Sequence, residues 1–285
     1  MLFRALAIGL ILLAASPALS TAQTALSTEA AGSDPRHVMI PAPDGRTIDL
    51  SVWTAPDERG VIVFSPGFNS TPAAYHRILS AWVGHGYSVI APLHVDSLQH
   101  PQHADYDNRA AFATRIMDMA VARSVVRATH PGKPIIAAGH SFGSLISLIE
   151  GGAVTAAGAH GDPDLKGVIA LSSAGDIPGL VSPTTWEGLD IPLMLITGDR
   201  DLVPGFVADW RDHRRPFDAS PAGGKTLIIF EGADHEFVDN ADDSDFALVI
   251  EATEAFLDAY ATGDADALAR LNALPAPDGV SIERR

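Results

Sequence analysis

Between residues 134 and 150 the chain passes from an unbroken apolar run, Pro134-Ile135-Ile136-Ala137-Ala138, through Gly139-His140-Ser141-Phe142-Gly143 into a helical pattern. The pattern begins at Leu145 and stops at Gly151-Gly152. No other stretch constrains the fold as strongly. A buried strand that turns into a helix within five residues needs glycines where the two backbones close on each other. A strand followed directly by a helix is also the unit from which parallel, two-face-covered sheets are built.

The rest of the chain repeats that unit. Apolar runs at Gly60–Phe64, Tyr87–Ala91, Gly167–Leu171, Pro192–Thr197 and Lys225–Phe230 read as buried strands. Between and after them, helical spacing appears at Pro72–Val83, Asn108–Thr129 and Asp245–Tyr260. Before them, His37–Ile40 and Thr47–Trp53 alternate around an Asp44-Gly45 turn and read as a hairpin that supplies an antiparallel edge. The expected fold class is therefore α/β: a mostly parallel central sheet of about eight strands, with helices on both faces. The main domain is expected at 37–262. A tail at 263–285 is expected to be helical over Ala265–Leu274, then Pro-rich and frayed.

The amino terminus reads as a targeting segment. Met1–Arg4 is short and basic, and Ala5–Ala15 is an apolar or small run of 11 residues. A permanent span takes ~20 such residues, so this run has the length of a signal-peptide core. Small residues allow cleavage after Ser20 or Ala22. Residues 1–22 are thus expected to be a secretory signal and 23–36 a flexible leader, with no stable membrane anchor after cleavage and a secreted or periplasmic destination.

The formal net charge of -16 comes from 35 acidic against 19 basic residues, only three of them lysine. Such a surface repels phosphate backbones, so nucleic acid is not an expected partner. There is no cysteine. That excludes disulfides, thiolate metal sites and a cysteine nucleophile.

Ser141 has the setting of a nucleophile: a hydroxyl lifted out of a sheet by a tight turn, with amides of a helix N-terminus behind it. Serine needs a base to take its proton, and the base needs an acid to hold it. Two loops past strand ends offer them. Gly198-Asp199-Arg200-Asp201-Leu202-Val203-Pro204 carries two acids, Asp199 and Asp201, and Gly232-Ala233-Asp234-His235 carries a histidine. Ligands bind open α/β sheets at this end of the strands. His94, His100 and His103 cluster after another strand and read as a polar rim, with His94 a candidate for the substrate cleft. Their spacing matches no metal signature.

With these motifs, residues 37–262 resemble the α/β-hydrolase superfamily. Gly67–His94 and Gly139–Gly143 are similar to its dienelactone hydrolase, platelet-activating-factor acetylhydrolase, chlorophyllase and cutinase-like polyester hydrolase group. The resemblance implies Asp201 as the acid, His235 as the base, and the backbone N–H groups of Phe68 and Phe142 as an oxyanion hole. Pro66 stands where the family's loop usually has His. The short segment between Ser141 and Asp201 leaves no room for a helical cap. In the cutinase-like relatives an aromatic before the acid strand lines the cleft, which makes Trp186 a second cleft candidate. The implied activity is hydrolysis of carboxylic esters, small or polymeric, with no cofactor and no metal. A lipase, thioesterase or amidase on the same fold, or a non-catalytic binding protein on that scaffold, is the alternative. Oligomeric state is not legible.

Overall fold

The structure, a computed structural model, describes residues 34–285. The signal-peptide segment 1–22 and the leader up to residue 33 lie outside the described residues.

The elements along the chain are β1 (Arg36–Pro41), β2 (Thr47–Trp53), β3 (Gly60–Ser65), α1 (His76–Gly84), β4 (Tyr87–Pro92) and α2 (Asn108–Thr129). Then come β5 (Ile135–His140), α3 (Phe142–Glu150), a small hairpin β6 (Val154–Thr155) and β7 (Gly158–Ala159), β8 (Leu165–Leu171) and β9 (Leu193–Gly198). The last are α4 (Arg215–Ala219), β10 (Lys225–Phe230), α5 (Phe237–Asn240), α6 (Asp243–Ala261), α7 (Ala265–Ala273) and β11 (Val280–Arg284). Nine strands form one sheet in the order β1-β2-β4-β3-β5-β8-β9-β10-β11. The pairs from β4 to β10 are parallel, and β1, β2 and β11 are antiparallel additions at the two edges.

The ninth strand corrects one expectation. The end of the chain does not fray. Phe230 faces Val280 and Thr226 faces Arg284 along β10. The run Val-Ser-Ile-Glu-Arg is too short and too charged to announce a strand. Charged residues are common on edge strands, where they discourage further pairing.

Alternation along the central strands sends side chains to two cores. Val61, Val63, Ile135 and Ala137 pack with Met119 and Val126 of α2 and Leu145 and Leu148 of α3. Ile62, Phe64, Ile136 and Ala138 pack with Ile78 and Trp82 of α1 and Val249 and Phe256 of α6. The helix pair α1 and α6 is pinned by the Trp82 indole N–H, which donates to Thr253 Oγ1 at 3.0 Å. At the leading hairpin, Gly45 takes φ 88°, a conformation that explains the Asp-Gly turn.

Trp82 is fully buried. Trp82→Ala is expected to cost about 3–5 kcal/mol, through the cavity it leaves and the lost donor to Thr253. Chemical denaturation of the purified chain checks this; a loss below about 1 kcal/mol would contradict the two-face core described above.

Candidate active site

Ser141 sits at the turn from β5 into α3 with φ 53° and ψ −121°. A non-glycine residue held there costs ~1–3 kcal/mol and persists only where its surroundings dictate it. Here they do. A Cβ on Gly139 would come within 2.5 Å of the Gly143 backbone, and one on Gly143 would collide with the Ser65 and Pro66 carbonyls. The two glycines let strand, helix and the loop after β3 meet. Ser141 N still donates to Leu171 O at 2.9 Å, which extends the β5–β8 ladder to the turn.

β9 and β10 deliver the partners. His235 Nε2 lies 2.8 Å from Ser141 Oγ, and His235 Nδ1 lies 2.6 Å from Asp201 Oδ1. A carboxylate only accepts, so Nδ1 carries the proton and Nε2 is the bare acceptor facing the serine hydroxyl. Thr197 Oγ1 donates to Asp201 Oδ2 at 2.8 Å. Burial would raise the Asp201 carboxyl, but hydrogen bonds and charge from His213 and His235 hold it far below the usual carboxylate range. The rival acid Asp199 turns away and accepts from Gly232 N at 2.6 Å, bracing the histidine loop.

His140 ties this loop to the one after β3. Burial pushes its ring down to about 4, so it is neutral near pH 7. Its Nε2 donates to the His235 carbonyl at 3.0 Å, and its Nδ1 accepts from the Tyr75 hydroxyl at 3.0 Å. Burial pushes Tyr75 up to about 12, so its proton stays in place. The Tyr75 oxygen in turn accepts from Gly67 N at 3.0 Å.

Amides in the loop Ser65–Ser70 are spoken for, with one exception. Gly67 N goes to Tyr75, Asn69 N to Asp96 Oδ2 at 3.3 Å and Ser70 N to Gly67 O at 3.2 Å, while Pro66 has no N–H. Among the described residues, Phe68 N has no such partner. Phe68 lines the same cleft as Ser141 and Phe142, and the Phe142 ring meets the Phe68 ring edge-on at 6.1 Å. Beneath the loop, fully buried Arg115 donates to Pro66 O at 2.6 Å and Gly67 O at 2.9 Å, and pairs with Asp96 at 2.6 and 2.8 Å.

A cleft of about 880 Å³ opens over Ser141. Phe112, Phe142, Ile177, Leu180, Val203 and Phe206 give it an apolar lining, to which Glu236 and Asp239 add two carboxyl groups. No helical cap covers it among the described residues. Between α3 and β9 lie the β6–β7 hairpin, β8, loops and one helical turn, Thr185–Gly188, and the hairpin tip Ala156-Ala157 joins the cleft wall.

The family described as PET hydrolase-like matches residues 44–265. This chain belongs to that family. Cutinase 1 of Thermobifida cellulosilytica and the cutinase of Thermobifida fusca (strain YX) are each 27% identical to it over 185 residues, 62% of the chain. The chain spans 60% and 52% of the length of these two curated relatives. Among solved structures, a soluble variant of monoglyceride lipase from Saccharomyces cerevisiae superposes with TM-score 0.63 at 14% identity, covering 82% of this chain and 98% of that one. The esterase domain of a Rhodothermus marinus protein gives TM-score 0.57 at 18% identity, covering 79% and 98%. These likenesses show the α/β-hydrolase fold.

Two cleft expectations are corrected in this PET hydrolase-like chain. Trp186 does not line the cleft. Its ring is buried in the same core as Leu189 and Phe217, because the helical turn that carries it faces inward. Ile177 and Leu180 of the same connection take the place expected of it. His94 is buried beneath the loop after β3, with Nε2 3.0 Å from Ser65 Oγ and Nδ1 2.9 Å from Asp118 Oδ2. Sequence reasoning missed Tyr75, Asp96, Arg115 and His213. Arg115 and Asp118 had left a signal: both interrupt the apolar stripe of α2 on its buried face.

Removing one member of a buried ion pair leaves the other uncompensated. Arg115→Met is expected to destabilise the chain by about 3–5 kcal/mol, and the Arg115→Met/Asp96→Leu double variant to regain part of that loss. Neither variant restores the grip on the Pro66 and Gly67 carbonyls, so the stability lost with those two bonds is expected to stay lost in both. Denaturation curves of the two variants check this.

Proposed function

We propose that this chain is a carboxylic-ester hydrolase in which Ser141 is the nucleophile, His235 the base and Asp201 the acid. One observation carries the reading: the Ser141 hydroxyl is 2.8 Å from a ring nitrogen whose opposite nitrogen is 2.6 Å from a buried carboxylate. Membership in the PET hydrolase-like family and the cutinase relatives support it.

In the proposed reaction, an ester lies with its acyl group along the apolar lining of the cleft. His235 Nε2 takes the proton from Ser141 Oγ as the oxygen attacks the carbonyl carbon. The developing oxyanion is held by the Phe68 and Phe142 amides, fixed dipoles that need no rearrangement as charge builds. His235 then gives its proton to the leaving alcohol. Water, deprotonated by the same ring, attacks the acyl carbonyl, and the ring returns that proton to Ser141 Oγ as the bond to the acid breaks. Asp201 keeps the ring oriented and balances its charge while it is an imidazolium. Among the described residues the cleft has no cap, and its lining is largely apolar, which fits neutral esters with apolar acyl groups, including chain segments of a polyester. A lipase, thioesterase or amidase activity would use the same centre.

Ser141→Ala is expected to lower p-nitrophenyl ester hydrolysis ~10⁴-fold or more. The wild-type protein is expected to be labelled by a fluorophosphonate probe and the variant not. Activity at the wild-type level in Ser141→Ala would overturn the assignment. A substrate panel spanning chain length, thioesters, amides and a polyester film assigns the ester class.

We further propose that residues 1–22 direct export. No helix among the described residues is long and apolar enough to cross a membrane. Mass spectrometry of exported protein is expected to find an amino terminus after Ser20 or Ala22. An exported chain that retains Met1–Arg4 would overturn this.

A further inference from the structure

The acid of the proposed centre carries a second histidine. His213, in the helical turn Trp210–Arg214, is fully buried. Its Nε2 lies 2.9 Å from Asp201 Oδ1 and 2.9 Å from the Asp201 carbonyl oxygen. Its Nδ1 meets the carbonyl oxygen of Ser173. Each of these partners is an acceptor with no proton to give. A neutral imidazole has one N–H and one lone pair, so it would aim that lone pair at a carbonyl or a carboxylate inside the protein. Only the doubly protonated ring satisfies both sides. Burial alone would push the ring's protonation down, but the Asp201 carboxylate and the two carbonyls raise it above the ordinary histidine value.

Asp201, His213 and His235 also form a cluster whose ligand atoms lie within 4.8 Å of one another, the kind that can hold a metal. The spacing points to protons instead. Ligand atoms on a tetrahedral zinc stand ~3.3 Å apart, as bonds of ~2.0–2.1 Å require. Here the separations from Asp201 Oδ1 are 2.6 and 2.9 Å, which are hydrogen-bond lengths.

We propose that His213 is a positioning residue held as an imidazolium, which cancels much of the Asp201 charge behind His235. This rests on the reading of Asp201 and His235 as acid and base. The His213 and His235 rings stand 6.0 Å apart, nearly parallel. At that distance a fixed positive charge disfavours a second one on His235. The titratable groups around His213 are Asp201 from the loop after β9, His235 from the loop after β10 and, farther off, His140 at the end of β5. The loop after β8 contributes the uncharged Ser173 carbonyl. In its own turn, Asp212 is paired with Arg215, and Arg214 with Asp218 and Glu283. The raised protonation sets the sign for stability: the ion pair strengthens the fold below the ordinary histidine value, and that contribution is lost as pH rises through the raised one.

The test is His213→Gln, which keeps a donor toward Asp201 but carries no charge. The acidic limb of the kcat/KM–pH profile for a p-nitrophenyl ester is expected to move up by about one pH unit, so that activity on that limb falls ~10-fold. An unmoved limb, whatever happens to stability, makes His213 structural only and overturns the proposal. If the variant does not fold, ¹⁵N-histidine NMR on the full chain decides. Both His213 ring nitrogens are expected to be protonated at pH 7, and a single neutral tautomer there overturns the proposal. The NMR readout needs no hydrolysis and can be recorded on Ser141→Ala. Failure of the esterase reading appears as undiminished activity in Ser141→Ala; failure of this inference leaves the hydrolysis intact.

Discussion

The geometry of this molecule depends on a contact that leaves no space for a side chain. The first turn of α3 lies against the carbonyl oxygens of Ser65 and Pro66, and Gly143 is the residue at the contact. The same approach presses Gly139 against the Gly143 backbone and bends Ser141 into the left-handed region. The strain is sustained because β5 lies near the middle of a parallel sheet, paired on both sides up to the turn. The product is a hydroxyl raised above the sheet, with the helix N-terminus and the loop after β3 brought to the same point. A methyl group at Gly143 would push these two apart.

Around that contact the protein spends buried polar groups that its two apolar cores do not contain. Arg115 and Asp96 bracket the loop after β3, and Arg46, Asp118 and His94 stand behind it. Tyr75 and His140 run from Gly67 to the His235 carbonyl, so the loop on one side of the serine is linked to the loop on the other. Pairs of this kind gain little net stability, because desolvation offsets the attraction. Their value is directional: each fixes the position of a carbonyl or an amide that an apolar contact would leave free to slide.

Much of this was readable from the order of residues. Six strands came from runs of apolar residues with turn residues between them, since burial on both sheet faces writes itself as a continuous hydrophobic stretch, and two more came from alternation around the Asp44-Gly45 turn. Ser141 and His235 stood out as candidates because each follows such an apolar run within a few residues. Asp201 and Asp199 were both in view, and resemblance to a known group separated them; in the structure, Asp201 faces His235 and Asp199 faces Gly232. Strand β11 was not readable, because an edge strand buries little and its charged residues carry no periodic signal. Trp186 misled for the opposite reason: a tryptophan in a loop can serve a surface or a core equally well by composition.

The sequence by itself determined the layered α/β architecture, the elbow at Ser141 and the short list of groups that could serve it. Those follow from local rules of periodicity, glycine placement and strand-to-loop spacing. Only the tertiary structure decided the rest. It placed His94 under a loop instead of in a cleft, built the cleft wall from Ile177, Leu180 and a two-strand hairpin, and set His213 against Asp201. Each of these depends on contacts between segments dozens of residues apart, and the direction of a side chain across such a gap is set by packing, not by its neighbours in the chain.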